Sequence, residues 1–243
     1  MASPGCVMTL AMPDSIYPAN LPAGYPAYLG YADGNWPTAP ELIRMFPAAH
    51  VISLTVSGGT LACDGIDCEP GNPDAAASAA WVHNKLILSP GFRPVVYASV
   101  AGASPYGMPD VLRELEKRNI PRAQVRLLSA HYTGNPHICG PASCGAISEL
   151  MDGTQWTDQY PGNNTTLIDM SQVHDSFFPA PIPPPVKGDT MRLPPAPGEW
   201  GLGTVTFYDY QNRVIIVGPN GGNAIYVTIS ADNGAHWTTP VRI

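Results

Sequence analysis

Between residues 25 and 178 the chain alternates short apolar strands with helices, and this alternation restricts the fold more than any other feature of the sequence. Residues 28–32 read as a strand ending at Asp33, and residues 40–46 as a helix with Thr38 as its N-cap. Residues 50–56 form a second strand, rich in β-branched residues and apolar on both faces, as buried parallel strands are. A third, very short strand at 65–69 runs into a helix for which Asn72 supplies the cap, Pro73 the first position and Asp74 a charge that complements the dipole. Further strands are expected at 93–100, 124–130, 153–157 and 166–170, with a helix opening at Pro109 whose Val111, Leu112 and Leu115 share one face. Strands alternating with helices imply parallel pairing and right-handed crossovers, hence an open α/β sheet or a β/α barrel.

The alternation stops at both ends. Residues 1–24 carry Pro, Ser, Asn and Gly at short intervals and read as an N-terminal arm. Residues 179–198 contain eight prolines, which exclude helix and most sheet pairing, so 179–200 reads as a stiff linker. Beyond it, residues 201–243 alternate with period two around the turn Asn220-Gly221-Gly222-Asn223, the pattern of a small antiparallel β module. Ser230, Asp232, Gly234 and Trp237 within it resemble the Asp-box turn of sialidases and β-propellers. There the Asp caps backbone amides and the Gly takes a positive φ.

Composition removes several function classes. The formal charge is −7 with no run of Lys or Arg, which argues against a nucleic-acid surface. No stretch of 18 apolar residues exists, so no membrane span is expected. The first 20 residues lack a basic residue, and Pro13 and Asp14 break their apolar part, so no signal peptide is recognisable. Cys63 and Cys68 lie five apart, as do Cys139 and Cys144, and Cys6 is left over. Metal sites usually show tighter Cys-x-x-Cys spacing, so no metal is expected; the pairs read as local disulfides, or else as buried free thiols.

In a parallel α/β fold, ligands bind at the C-terminal ends of strands. Strand ends here deliver Asp33, the pair Asp67 and Glu69, and Asp169. Positions i and i+2 of a strand share a face, so Asp67 and Glu69 project into one cleft, where mutual repulsion raises one pKa. A protonated carboxyl beside an ionised one is what glycoside hydrolysis requires.

The ordered strand ends 30–33, 66–69, 94–99, 128–132, 154–157 and 167–170 resemble glycoside hydrolase family 25, the lysozyme-like N-acetylmuramidases of bacteria and phages. The resemblance covers about 150 residues. It implies Glu69 as general acid, Asp67, Asp33 and Asp169 as the surrounding carboxylates, and Tyr97, Tyr132, Trp156 and Gln155 as the sugar-binding wall, with no cofactor. One strand of the family pattern is missing between the second strand and Asp67, leaving seven and a shortened TIM-like barrel. The sixth strand reads Gln-Trp where the family more often has Trp-Gln. Two functions follow from the resemblance. One is a muramidase acting on bacterial cell-wall peptidoglycan, extracellular or virion-associated. The other is a non-catalytic phage virion protein (tail, tail tip or capsid-attached), with the β module docking to other virion proteins or to itself.

Overall fold

A computed structural model describes residues 8–145 and 147–178, and the backbone of residues 205–208, 214–219, 225–230 and 241–242. The chain divides into two units, Met1–Phe178 and Pro179–Ile243. Cys6, the Pro-rich linker and the Asp-box turn lie outside the described residues.

The first unit is a closed eight-stranded barrel in the order of the chain: β1 (Thr9–Asp14), β2 (Ala27–Tyr31), β3 (His50–Thr55), β4 (Gly65–Cys68), β5 (Val95–Ser99), β6 (Arg126–Ala130), β7 (Gly153–Pro161) and β8 (Leu167–His174). Pairing is parallel from β1 through β7, while β8 runs antiparallel to both β7 and β1. Three helices cross over outside: α1 (Ala39–Met45), α2 (Ala75–Leu88) and α3 (Met108–Lys117).

Two expectations are corrected here. The barrel closes on eight strands rather than seven, and the additional strand is Thr9–Asp14, from the stretch read as an arm. Pro13 does not prevent this. The missing amide of a proline is tolerated where a strand has few ladder bonds on one side, and β1 meets β2 only at Asp14↔Leu29. The last strand was expected to be parallel. It is instead the return arm of a hairpin, because only a short turn separates Pro161 from Leu167 and a parallel crossover needs a dozen residues or more.

Side-chain alternation builds two cores. Val95, Tyr97 and Leu128 point into the barrel with Met12, Leu29, Leu54 and Val173, while Val96, Ala98 and Leu127 point out against Trp81, Val82, Val111 and Leu115 of α2 and α3. Gly65 lets β4 sit close between its neighbours, since a Cβ there would lie 2.5 Å from the Val95 carbonyl oxygen and 2.7 Å from Leu54.

Helix starts follow capping chemistry, with one reassignment. Asp74, not Asn72, caps α2, accepting from the Ala77 amide at 2.8 Å. Thr38 stands at the N-cap of α1 but makes no side-chain cap bond; its Oγ1 accepts from the Tyr31 amide at 3.0 Å, tying the helix to the end of β2.

At the N-terminal ends of the strands, the barrel floor, charges are paired. Asp152 accepts from Arg93 at 2.9 Å, from Arg122 at 2.5 Å and from the Leu127 amide at 2.8 Å. Arg126 is buried between the rings of Phe92 and Phe177, 5.2 and 5.4 Å away, and donates to the carbonyls of Arg93 and Phe177. Burial lowers its pKa to about 10, which leaves it charged at neutral pH.

The second unit contains β9 (Val205–Tyr208), β10 (Val214–Pro219), β11 (Ile225–Ser230) and β12 (Val241–Arg242), paired antiparallel in the order β12-β11-β10-β9.

Candidate functional site

The C-terminal ends of the parallel strands form the opposite end of the barrel, the mouth, and the strand-end carboxylates gather there. A groove of about 430 Å³ is lined by Tyr31, Asp33, Trp36, Asp67, Glu69 and Asn72 among others. Asp67 is the last inward-facing position of β4 and is 3% exposed; Glu69 follows one residue past the strand end. Asn72 donates to Asp67 Oδ2 at 3.1 Å, which explains why it does not cap α2. Asp67 Oδ1 is buried without a protein partner.

Two further carboxylates stand opposite each other on β1 and β8. Asp14, at the end of β1, is the cross-strand partner of Asp169 on β8. Sequence reasoning missed Asp14, although an apolar run ending in an aspartate follows the same rule that identified Asp33. Gln155 spans this part of the mouth: its Nε2 donates to Asp14 at 3.3 Å, and its Oε1 accepts from the hydroxyls of Tyr97 and, at 3.0 Å, Tyr132.

None of the five ion pairs among the described residues involves a mouth carboxylate. Burial therefore raises the pKa of four of them without a cation to oppose it. Burial, then the charge of Glu69, raises the Asp67 pKa to about 8, against a lesser opposing effect of the Asn72 hydrogen bond. Burial also raises Glu69, with the Tyr97 hydroxyl opposing and Asp169 adding to the shift. Asp14 is pushed well above the usual range by burial and then by Asp169; Asp169 is raised by burial while its hydrogen bond with Asp14 opposes. This is the behaviour of a pair sharing one proton.

Asp33 differs. Burial pushes its pKa up, but hydrogen bonds from Ser57, Thr55 and the Val56 and Ser57 amides outweigh that and hold it below the ordinary value. The hydroxyls of Thr55 and Ser57 donate at 2.5 Å each and the Val56 amide at 2.8 Å. Both of its oxygens are therefore occupied in clamping the loop after β3. Gly34 is needed beside it, with φ +81° and a Cβ position 2.3 Å from Val56.

The aromatic wall is rearranged relative to expectation. Tyr132 is 53% exposed, whereas Tyr97 is 7% exposed and offers the site only its hydroxyl. Trp156 does not face the carboxylates. Strand alternation sends Gln155 inward and Trp156 outward, into a separate groove with Tyr25 and Tyr160. Trp36, half-exposed on the loop after Asp33, supplies an aromatic face in the carboxylate groove that the sequence reading missed.

The disulfide expectation is corrected: Cys63, Cys68, Cys139 and Cys144 are free and buried. Cys68 ends extended β4 and Cys63 precedes that strand; a strand advances about 3.3 Å per residue, and a disulfide needs Cα atoms within about 7 Å. The Cys63 thiol instead donates to the Gly65 carbonyl at 3.3 Å. Cys139 and Cys144 face two histidines.

No protein-family model matches the chain, and no curated protein matches it. Among solved structures, it is similar to an uncharacterized B. stearothermophilus protein (15% identity, TM-score 0.48, covering 70% of this chain and 97% of that one). It is also similar to the Clostridium perfringens spore cortex lytic enzyme SleM (12% identity, TM-score 0.37, covering 97% of this chain and 86% of that one). At these scores neither likeness bears on function, which rests on the chemistry of the mouth.

Proposed function

We propose that the barrel mouth is a glycoside hydrolase site acting on bacterial cell-wall peptidoglycan, with muramidase-type cleavage of a β-1,4 bond. The observation that carries this reading is the Asp67–Glu69 pair: two carboxyls in one groove, both with raised pKa and neither in an ion pair. A carboxyl that keeps its proton near neutral pH can donate it to a leaving glycosidic oxygen. Glu69, whose pKa burial raises, is the donor in this reading, since it stands past the strand end where the groove opens. Buried Asp67 orients the sugar through its unpartnered Oδ1. The Asp14–Asp169 pair holds one proton between two carboxyls, and its remaining negative charge stabilises the oxocarbenium-like centre. Trp36 and Tyr132 offer exposed faces for the apolar sides of pyranose rings. Asp33 acts at one remove, by fixing the loop that forms the groove wall.

The test is reducing-end release from purified peptidoglycan by wild-type protein and Glu69→Gln. The amide fills the same space but cannot donate the proton, so activity should fall by about 10²–10⁴-fold with the fold intact. Wild-type protein that binds the glycan but releases no reducing ends would make the mouth a binding site and remove the catalytic reading.

A further inference from the structure

In the segment joining β6 to β7, the described residues 131–145 and 147–152 form irregular backbone in place of a crossover helix, yet hydrogen bonds hold them. The Cys139 amide donates to Thr154 Oγ1 at 2.8 Å, the Met151 amide to the Cys139 carbonyl at 2.9 Å, and the Cys144 amide to the Gly140 carbonyl at 2.8 Å. At its centre the ligand atoms of His131, His137, Cys139 and Cys144 all lie within 4.8 Å of one another.

Hydrogen bonding does not account for this cluster. His131 Nδ1 lies 3.2 Å from His137 Nε2, 3.2 Å from Cys144 Sγ and 3.4 Å from Cys139 Sγ. A ring nitrogen has a single proton or lone pair directed along one line, so it cannot serve three partners at once. Cys139 Sγ is also 3.4 Å from His137 Nε2, so several contacts converge on one common point. Around a tetrahedral zinc ion, with Zn–N of about 2.0–2.1 Å and Zn–S of about 2.3 Å, neighbouring ligand atoms are about 3.3–3.8 Å apart. These four separations fall at or just below that range, and all six lie within 4.8 Å.

The second observation is the outer partner of His137. Its Nδ1 lies 2.9 Å from the Asn135 carbonyl oxygen and 3.3 Å from Thr133 Oγ1. A proton donated there leaves Nε2 with its lone pair free, the orientation that metal-ligating histidines adopt through a backbone carbonyl.

We propose that His131 Nδ1, His137 Nε2, Cys139 Sγ and Cys144 Sγ together bind one tetrahedral zinc ion that staples residues 131–152 to the barrel. Two imidazoles and two thiolates are a zinc donor set, and four protein ligands close the coordination shell, so the ion is structural rather than catalytic. The site also reaches the mouth. Tyr132 follows His131 directly and donates to Gln155, so a fixed His131 fixes that hydroxyl. The inference is independent of what the mouth binds.

The test uses the full chain, purified without chelator. Elemental analysis should find about one zinc per molecule, and replacement by cobalt should give the visible absorption of tetrahedral thiolate-bound Co²⁺. Cys144→Ser and His137→Ala should lose the metal, whereas Cys63→Ser should keep it. If those variants do not fold, wild-type protein carries the test alone: zinc released to a chromogenic chelator, with a fall in melting temperature reversed by added zinc, supports the site. A wild-type chain that contains no zinc and takes up neither zinc nor cobalt overturns it. So does a native Cys139–Cys144 disulfide found by non-reducing peptide mapping.

Discussion

At the floor of the barrel Asp152 meets two guanidinium groups and a backbone amide, whereas at the mouth Asp14, Asp67, Glu69 and Asp169 meet one another. Both ends bury acidic side chains in the same wall of strands. The floor neutralises its carboxylate with cations, whereas at the mouth burial and neighbouring carboxylates raise the pKa values. Paired charge holds the barrel shut and exchanges nothing with solvent. Retained protons cost stability when they are lost, and they can be transferred.

Variants that break each end should therefore fail in different ways. The largest effect on stability is expected at the floor. Asp152→Ala removes the counter-charge of Arg93 and Arg122, which keep only backbone carbonyl partners, and leaves the Leu127 amide without its acceptor, at a cost of about 3 kcal/mol in chemical denaturation. A cost below about 1 kcal/mol would mean that the floor pairs do not carry the load assigned to them.

The next effect has the opposite sign. A carboxyl that holds its proton more tightly folded than unfolded stabilises the fold fully below its unfolded pKa of about 3.9, and that contribution is lost as pH rises through the folded value. For Asp67 the folded value is about 8, so wild-type melting temperature should decline between pH 5 and pH 9. Asp67→Asn, which mimics the protonated acid, should flatten the decline and melt about 5 °C higher than wild type at pH 9. Parallel pH profiles for the two proteins would place Asp67 among ordinary ionised carboxylates.

The smallest effect probes the exposed face of the mouth. Trp36→Ala should leave melting temperature almost unchanged, because the ring is 50% exposed. It should weaken binding of soluble peptidoglycan fragments about fivefold, on the order of 1 kcal/mol, by titration calorimetry. Unchanged affinity would remove Trp36 from the sugar-binding surface.

Much of the mouth was legible because strand ends have a grammar: an apolar run followed by a carboxylate identifies Asp33, Asp67 and Asp169 without any knowledge of tertiary contacts. Asp14 obeys that grammar, but Pro13 and the absence of a crossover helix after it made its strand look like part of an arm. The direction of β8 was not legible either, since a strand's sequence records which faces are buried and not which way its neighbours run. Trp156 shows how parity decides: one residue along β7 separates the inward Gln155 from a ring facing another groove. The His131–Cys144 cluster escaped notice because its ligand spacing matches no short pattern, and only the fold of residues 131–152 brings the four atoms together.

The difference between floor and mouth can be measured directly by following the side-chain carboxyl carbons of the labelled protein by NMR across a pH titration, with Asp67→Asn and Asp152→Asn used for assignment. The account predicts that the Asp67 carboxyl titrates near pH 8 and that Glu69 titrates above its ordinary value. Titration of Asp67 and Glu69 within the ordinary carboxylate range, about 3.5–4.5, would contradict it: the mouth would then hold ionised carboxylates with no proton to give.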